Sequence, residues 1–167
     1  MSGTSTFVYT RGHSEKFVAD SMRNALRDII REHGLDPDLL MQMWALWIER
    51  GVRTWLESGH LVAIVIEFYE PGSSTIMTRW DFPITYTGSG IDDDMWLDKA
   101  YLRQLIAKAP RPTLKCTYRV LLDRARGFPP VEGIVSTPYL STGKLMARPA
   151  GTIVATGHIT TSATYWS

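Results

Sequence analysis

Apolar residues recur along this chain first at helical spacing, then in strict alternation, and last as small, thinly spread beads. Phe17, Val18, Met22, Ala25, Leu26, Ile29 and Ile30 follow three- and four-residue steps, with Arg23, Arg27, Asp28 and Arg31 outside the stripe. That spacing predicts an amphipathic helix with Ser14 as N-cap and Gly34 as its left-handed stop. Asp36-Pro37 opens a second helix, because a carboxylate caps and a proline loses nothing at the first helical position. Leu40, Met43, Trp44, Trp47, Trp55 and Leu56 form its apolar side and Gly59 its end. Gly51 interrupts it at a cost of about 1 kcal/mol against alanine, which marks a kink or a close crossing.

The period then changes to two. Val62, Ile64, Ile66 and Phe68 share one face of a strand, the run from Pro71 to Ser74 turns the chain, and Ile76, Trp80, Phe82, Ile84 and Tyr86 share one face of the return strand. Arg79, Asp81 and Thr85 point the other way, so the pairing reads as antiparallel with one wet face. Pro83 cannot donate to a ladder and belongs at an edge or bulge. Leu102, Leu105 and Ile106 mark a third helix started by Asp94 or Asp98 and ended by Pro110 and Pro112. Cys116, Tyr118, Val120 and Leu122 alternate along a third strong strand.

After Asp123 the pattern loosens. Nine glycines and prolines from Gly127 to Gly157 punctuate it, with weak strands expected at 131–140, 144–148 and 153–166. In the last, Ile153, Ala155, Ile159, Ala163 and Tyr165 share a face of small beads that buries little area, a candidate for local opening. Residues 1–12 are polar except for Phe7, Val8 and Tyr9 and read as a loose arm or short edge strand.

Composition narrows the function classes. At 167 residues the chain has one domain's length, 44% of it apolar, with a net charge of +1 that gives no footprint for nucleic acid. No apolar run reaches the ~20 residues of a membrane span, and the N-terminus has no signal-peptide pattern. The single cysteine, Cys116, forms no internal disulfide, excludes thiolate zinc frameworks and fits a reducing cytoplasm. Asp92-Asp93-Asp94 lacks calcium-loop spacing and reads as a solvated loop beside a helix N-terminus. His13, His33, His60 and His158 are dispersed; His33 and His60 flank helix ends, where imidazole suits the negative dipole end. The glycines after Gly127 have neither dinucleotide nor Walker spacing. Trp44, Trp47, Trp55 and Trp80 read as core anchors. No metal, cofactor or catalytic residue is expected, and a hydrolase using Cys116 or a histidine is the enzyme-class rival.

The stretch from Arg53 to Leu61, the strand from Arg79 to Phe82, the loop from Asp92 to Trp96 and the closing Tyr165-Trp166 together resemble the bacterial HORMA-domain family. The resemblance covers nearly the whole chain. It implies an α+β HORMA fold: three helices on an antiparallel sheet, with a C-terminal β segment, the safety belt, that clasps a short closure-motif peptide. The implied division is an arm over 1–12, a core over 13–126 and the belt over 127–167. Peptide contacts would come from Tyr118, Val120, Ile134, Val135, Ser136, Tyr139, Ile153 and Ala155, with Ile134 standing where a larger aromatic is expected. The chain reaches only Ser167, so no closure motif of its own is expected. The family further implies a non-catalytic switch whose closed form activates a cGAS/DncV-like nucleotidyltransferase in anti-phage signalling. An AAA+ ATPase would reopen it by gripping Phe7, Val8 and Tyr9. The rival of another class is a static α+β interaction or structural subunit.

Overall fold

The computed structural model describes residues 2–87, 95–113 and 115–167, and of residues 2–11 the backbone alone. Three helical rods pack on a six-stranded antiparallel sheet, as the sequence implied. Helix α1 (Ser2–Glu32) buries Val18, Met22, Ala25, Leu26, Ile29 and Ile30 completely. Gly34, at φ 79°, stops it with two end bonds, Gly34 N–H to the Arg31 carbonyl and Leu35 N–H to the Ile30 carbonyl. The helix does not begin at Ser14. Residues 2–12 are helical backbone rather than an extended arm, and Ser14 is a buried position inside α1. No proline precedes Pro37, and α1 continues through Gly12 despite the roughly 1 kcal/mol that an interior glycine costs against alanine.

The second rod is continuous from 38 to 58: α2 (Asp38–Met43), a π turn over Trp44–Ile48, and α3 (Glu49–Ser58). Asp36 Oδ1 accepts the Asp38 N–H at 2.9 Å, and Gly59, at φ 75°, ends the rod. Leu40, Trp44, Ile48 and Val52 are all buried and all four residues apart. Such a row drifts around an α-helix of 3.6 residues per turn; the wider π turn brings it back onto one face. The same turn swings Trp47 out of the core. It is 38% exposed, beside Leu46 at 61%, so only three of the four expected tryptophan anchors, Trp44, Trp55 and Trp80, are interior.

Strands β1 (Leu61–Tyr69), β2 (Ile76–Tyr86), β3 (Trp96–Leu97), β4 (Thr117–Arg124), β5 (Ala147–Ala155) and β6 (Ile159–Trp166) lie in the order β3-β5-β6-β2-β1-β4. Helix α4 (Lys99–Lys108) follows β3, with Asp98 Oδ1 accepting the Tyr101 N–H as its cap. Ile66 pairs with Trp80 on one side and Val120 on the other, so the inward rows of β1, β2 and β4 align against the helices. Val62 leaves that row: the β1–β4 register shifts between Leu61 and Ala63, burying Leu61 and exposing Val62. Pro83 sits in an interior strand, not at an edge. The β2–β6 ladder pairs Asp81 with Thr164 and next Ile84 with Thr161, passing over the position where proline has no N–H to give.

The C-terminal region divides into two unlike parts. Strands β5 and β6 form a hairpin turned at Thr156, whose Oγ1 accepts the His158 and Ile159 N–H groups. β6 is interior, and Ile153, Val154, Ile159, Thr161 and Ala163 are at most 2% exposed. The expected single weak strand over 153–166 is therefore a core hairpin. Residues 125–146 contain no strand; they form a strap.

Candidate functional site: a cavity under the strap at the β4 edge

β4 is the outermost strand at one end of the sheet, paired with β1 on one side. An edge strand leaves a row of main-chain N–H and C=O groups unpaired, a template for another strand. The strap arches over this edge. It starts on the helix side, where the Ala125 N–H donates to the His60 carbonyl, Phe128 meets Trp55 edge-on at 5.7 Å, and Trp55 Nε1 donates to the Pro129 carbonyl at 2.7 Å. Ile134 fills a notch at Gly51, where any Cβ would collide with its Cδ1 and stand 3.1 Å from Leu122 Cδ1. The close crossing anticipated at Gly51 is therefore between this helix and the strap.

The strap ends on the opposite face. Pro138 and Leu140 are held by an ion pair: Arg119 Nη2 donates to the Pro138 carbonyl at 2.8 Å, Arg119 Nε to Glu67 Oε1 at 2.6 Å, and the Leu140 N–H to Glu67 Oε2 at 2.9 Å. Glu67 is fully buried, so its carboxylate is satisfied by these charge-assisted bonds. Arg79, paired with Asp81 at 2.6 Å, lies 4.4 Å over the Tyr139 ring and 4.9 Å over Trp166. Ser141 then bridges to Thr75, with the Ile76 N–H donating to the Ser141 carbonyl at 2.9 Å. The face expected to be wet is covered by the strap at Arg79 and Asp81, while Thr85 further along β2 is exposed as expected.

Between strap and edge lies a cavity of about 440 Å³. Its helix side is apolar, from Met43, Trp47, Ile48, Leu122, Phe128 and Ile134; its other side carries Asp123, Ser136, Thr137 and Tyr139. Partial burial, then the nearby Asp123 charge, push the Tyr139 phenol up to about 12, so it keeps its proton and can donate.

The structure gathers five of the expected contact residues, Val120, Ile134, Val135, Ser136 and Tyr139, on this cavity. It separates three. Tyr118 is buried, its hydroxyl donating to the Asp36 carbonyl and accepting the Leu40 N–H, so it ties β4 to the start of α2. Ile153 and Ala155 lie on β5, with β6, β2 and β1 between them and β4. Both belong to the β5–β6 hairpin rather than to the segment over the β4 edge. Sequence reasoning missed Met43, Ile48 and Arg124 as lining and Glu67 with Arg119 as the strap's anchor; only the interruption at Gly51 pointed toward them. Phe7, Val8, Tyr9 and the Asp92–Asp94 loop lie outside the described residues or side chains.

The other candidates resolve by burial. Burial, then the Arg111 charge, push His33 down to about 4, so it sits neutral against the Phe68 ring and is no cation at the helix end. Cys116 lies just before β4, half-buried, and burial raises its thiol, opposite to what an attacking thiolate needs. Among the described residues no three potential metal ligands cluster, and no helix is long and apolar enough to cross a membrane.

Known proteins share this architecture. A chain from the structure titled "Crystal Structure of Mitotic Checkpoint Complex" aligns with a TM-score of 0.70 at 13% identity, covering 92% of this chain and 97% of that one. C. elegans HTP-2 bound to the HIM-3 closure motif aligns at 0.66 and 13% identity, over 94% and 91%. A chain of the E. coli MS115-1 CdnC:HORMA-deltaN complex aligns at 0.58 and 14% identity, over 92% and 86%. No curated protein sequence matches. The profile of the family described as Bacterial HORMA domain 2 matches residues 2–167, end to end but for the first methionine, and the chain belongs to that family.

Proposed function

We propose that this protein is a non-catalytic peptide-binding switch that clasps an extended closure-motif peptide between β4 and the strap. The observation that carries the reading is the cavity itself: an unpaired strand edge on one wall, a crossing segment on the other, and space between them. Such an edge binds a peptide as one more strand, main-chain bonds giving affinity and alternate pockets giving specificity. The HTP-2 structure, bound to a closure motif, supports it by analogy of fold. The belt of this chain is then chiefly residues 125–146, with the β5–β6 hairpin remaining seated.

The wider role follows the E. coli HORMA complex with CdnC. In this reading the closed, peptide-bound protein engages and activates a cGAS/DncV-like nucleotidyltransferase in cytoplasmic anti-phage signalling. An AAA+ ATPase reopens it by gripping the N-terminal segment around Phe7, Val8 and Tyr9. The second reading, a static interaction subunit, is favoured only by the deep burial of the hairpin.

Hydrogen exchange separates the two. A peptide selected from a random display library on this protein should protect amides of β4 and of 125–146 together. Selected peptides that leave both segments unchanged would favour the static subunit.

A further inference from the structure

Three arginines of the sheet, Arg79 on β2 and Arg119 and Arg124 on β4, reach the strap and contact Tyr139, Pro138 and Ser136 respectively. Arg79 is matched by Asp81 and Arg119 by Glu67. Arg124 has no carboxylate partner among the described residues. Its guanidinium is packed over two rings, 4.1 Å from the Phe128 centroid and 4.8 Å from that of Trp55, and Nη2 donates to Ser136 Oγ at 2.7 Å. The side chain lines the cavity. Of five N–H donors on a guanidinium, one has an acceptor among the described residues, and the aromatic faces fix the plane in which the others point.

Register places this group relative to the apolar wall. Tyr118 bonds the start of α2 and Leu122 approaches Gly51, so the even positions of β4 face the helices. A strand added beside β4 alternates its side chains in the same way. Residues lying across from Val120 and Leu122 on the helix side meet Met43, Trp47, Ile48 and Ile134. The next residue on that face, two positions further, reaches Arg124. An apolar side chain at that last place would leave the guanidinium with Ser136 Oγ as its one acceptor, while a carboxylate would complete it with a paired fork of hydrogen bonds.

We propose that the cavity selects a peptide carrying a carboxylate two positions from an apolar residue, with Arg124 as the specificity-determining contact. The inference rests on the peptide-binding reading and names the ligand's chemistry. The carboxylate is an Asp or Glu side chain or the peptide's own C-terminus, and the test separates them.

A random dodecapeptide display library is selected on the wild-type protein, and an enriched peptide is measured by fluorescence polarisation. Three ligands are compared: the parent, its Asp/Glu→Asn/Gln form and its C-terminally amidated form. Three proteins are used, wild type, Arg124→Gln and Arg124→Lys, each checked for an unchanged melting transition. Removing the carboxylate should weaken binding to wild type by about tenfold or more and to Arg124→Gln by less than about twofold. Arg124→Lys should retain part of the discrimination. Loss on amidation alone assigns the carboxylate to the C-terminus; loss on side-chain neutralisation assigns it to Asp or Glu. Enriched peptides without a carboxylate, or equal losses on wild type and Arg124→Gln, would overturn the inference and leave peptide binding standing. Failure to enrich any peptide would overturn both.

Discussion

Gly51 shows how a single missing side chain can place a strap of more than twenty residues. In an isolated helix alanine would be better than glycine by about 1 kcal/mol. Here the added Cβ meets Ile134, so Gly51→Ala should destabilise the fold by roughly 1–2 kcal/mol, the cost of modest overpacking. Trimming the partner in Gly51→Ala/Ile134→Ala should recover part of the loss. A higher denaturation midpoint for Gly51→Ala alone would contradict the notch. His33 carries a second residue-scale prediction. Folded, it is held near 4; unfolded, it titrates at its ordinary 6.5. Between those values the unfolded chain binds the extra proton, so stability falls as pH drops from about 6.5 toward 4. The slope is at most ~1.4 kcal/mol per pH unit. Urea midpoints measured across that range should slope for wild type and flatten for His33→Leu; parallel profiles would mean that burial of His33 does not set the slope.

At the scale of elements, the strap is attached chiefly by side-chain contacts at its two ends, whereas the hairpin is attached by main-chain pairing with β2 and a buried apolar face. Glu67 holds both Arg119 and the Leu140 N–H, so Glu67→Ala leaves a cation and a donor unpaired and should cost about 3 kcal/mol. Amides of 136–146 should exchange much faster in this variant while those of β1 and β2 keep their relative protection. Unchanged exchange over 136–146 would show that the ion pair does not anchor the strap. These elements also show how far the sequence could be read. The α1 stripe, the β1–β2 hairpin and the strand at Tyr118 were legible because each repeats a period and ends in recognisable turn chemistry, and of the two cap candidates Asp94 and Asp98 the structure uses Asp98. Trp47 was misread because a π turn shifts the helical phase, and Val62 because a bulge reverses the strand faces. Neither irregularity leaves a mark in periodicity. The hairpin was misjudged because its burial comes from pairing with β2, a long-range fact. The edge of β4 was invisible for the same reason: sequence alternation identifies a strand but not its neighbours.

For the whole molecule, a peptide-clasping switch requires the strap to leave the β4 edge and return around a peptide. A population moved from 1:99 to 99:1 requires about 10⁴-fold tighter binding to the closed form. Main-chain pairing along one strand edge, together with a filled cavity, is a credible source of that difference. The direct measurement fixes the arch at its far end. Thr75 and Ser141 are bridge partners, at the ~5 Å spacing that a disulfide spans. Thr75→Cys/Ser141→Cys, in a Cys116→Ala background, should close the strap covalently under oxidation and free it on reduction. With a library-selected peptide, the oxidised protein should bind at least about a hundredfold more slowly than the reduced one, and a peptide bound before oxidation should dissociate correspondingly late. Equal association and dissociation rates in the two redox states would contradict the account, because a peptide that comes and goes past a locked strap is not clasped by it.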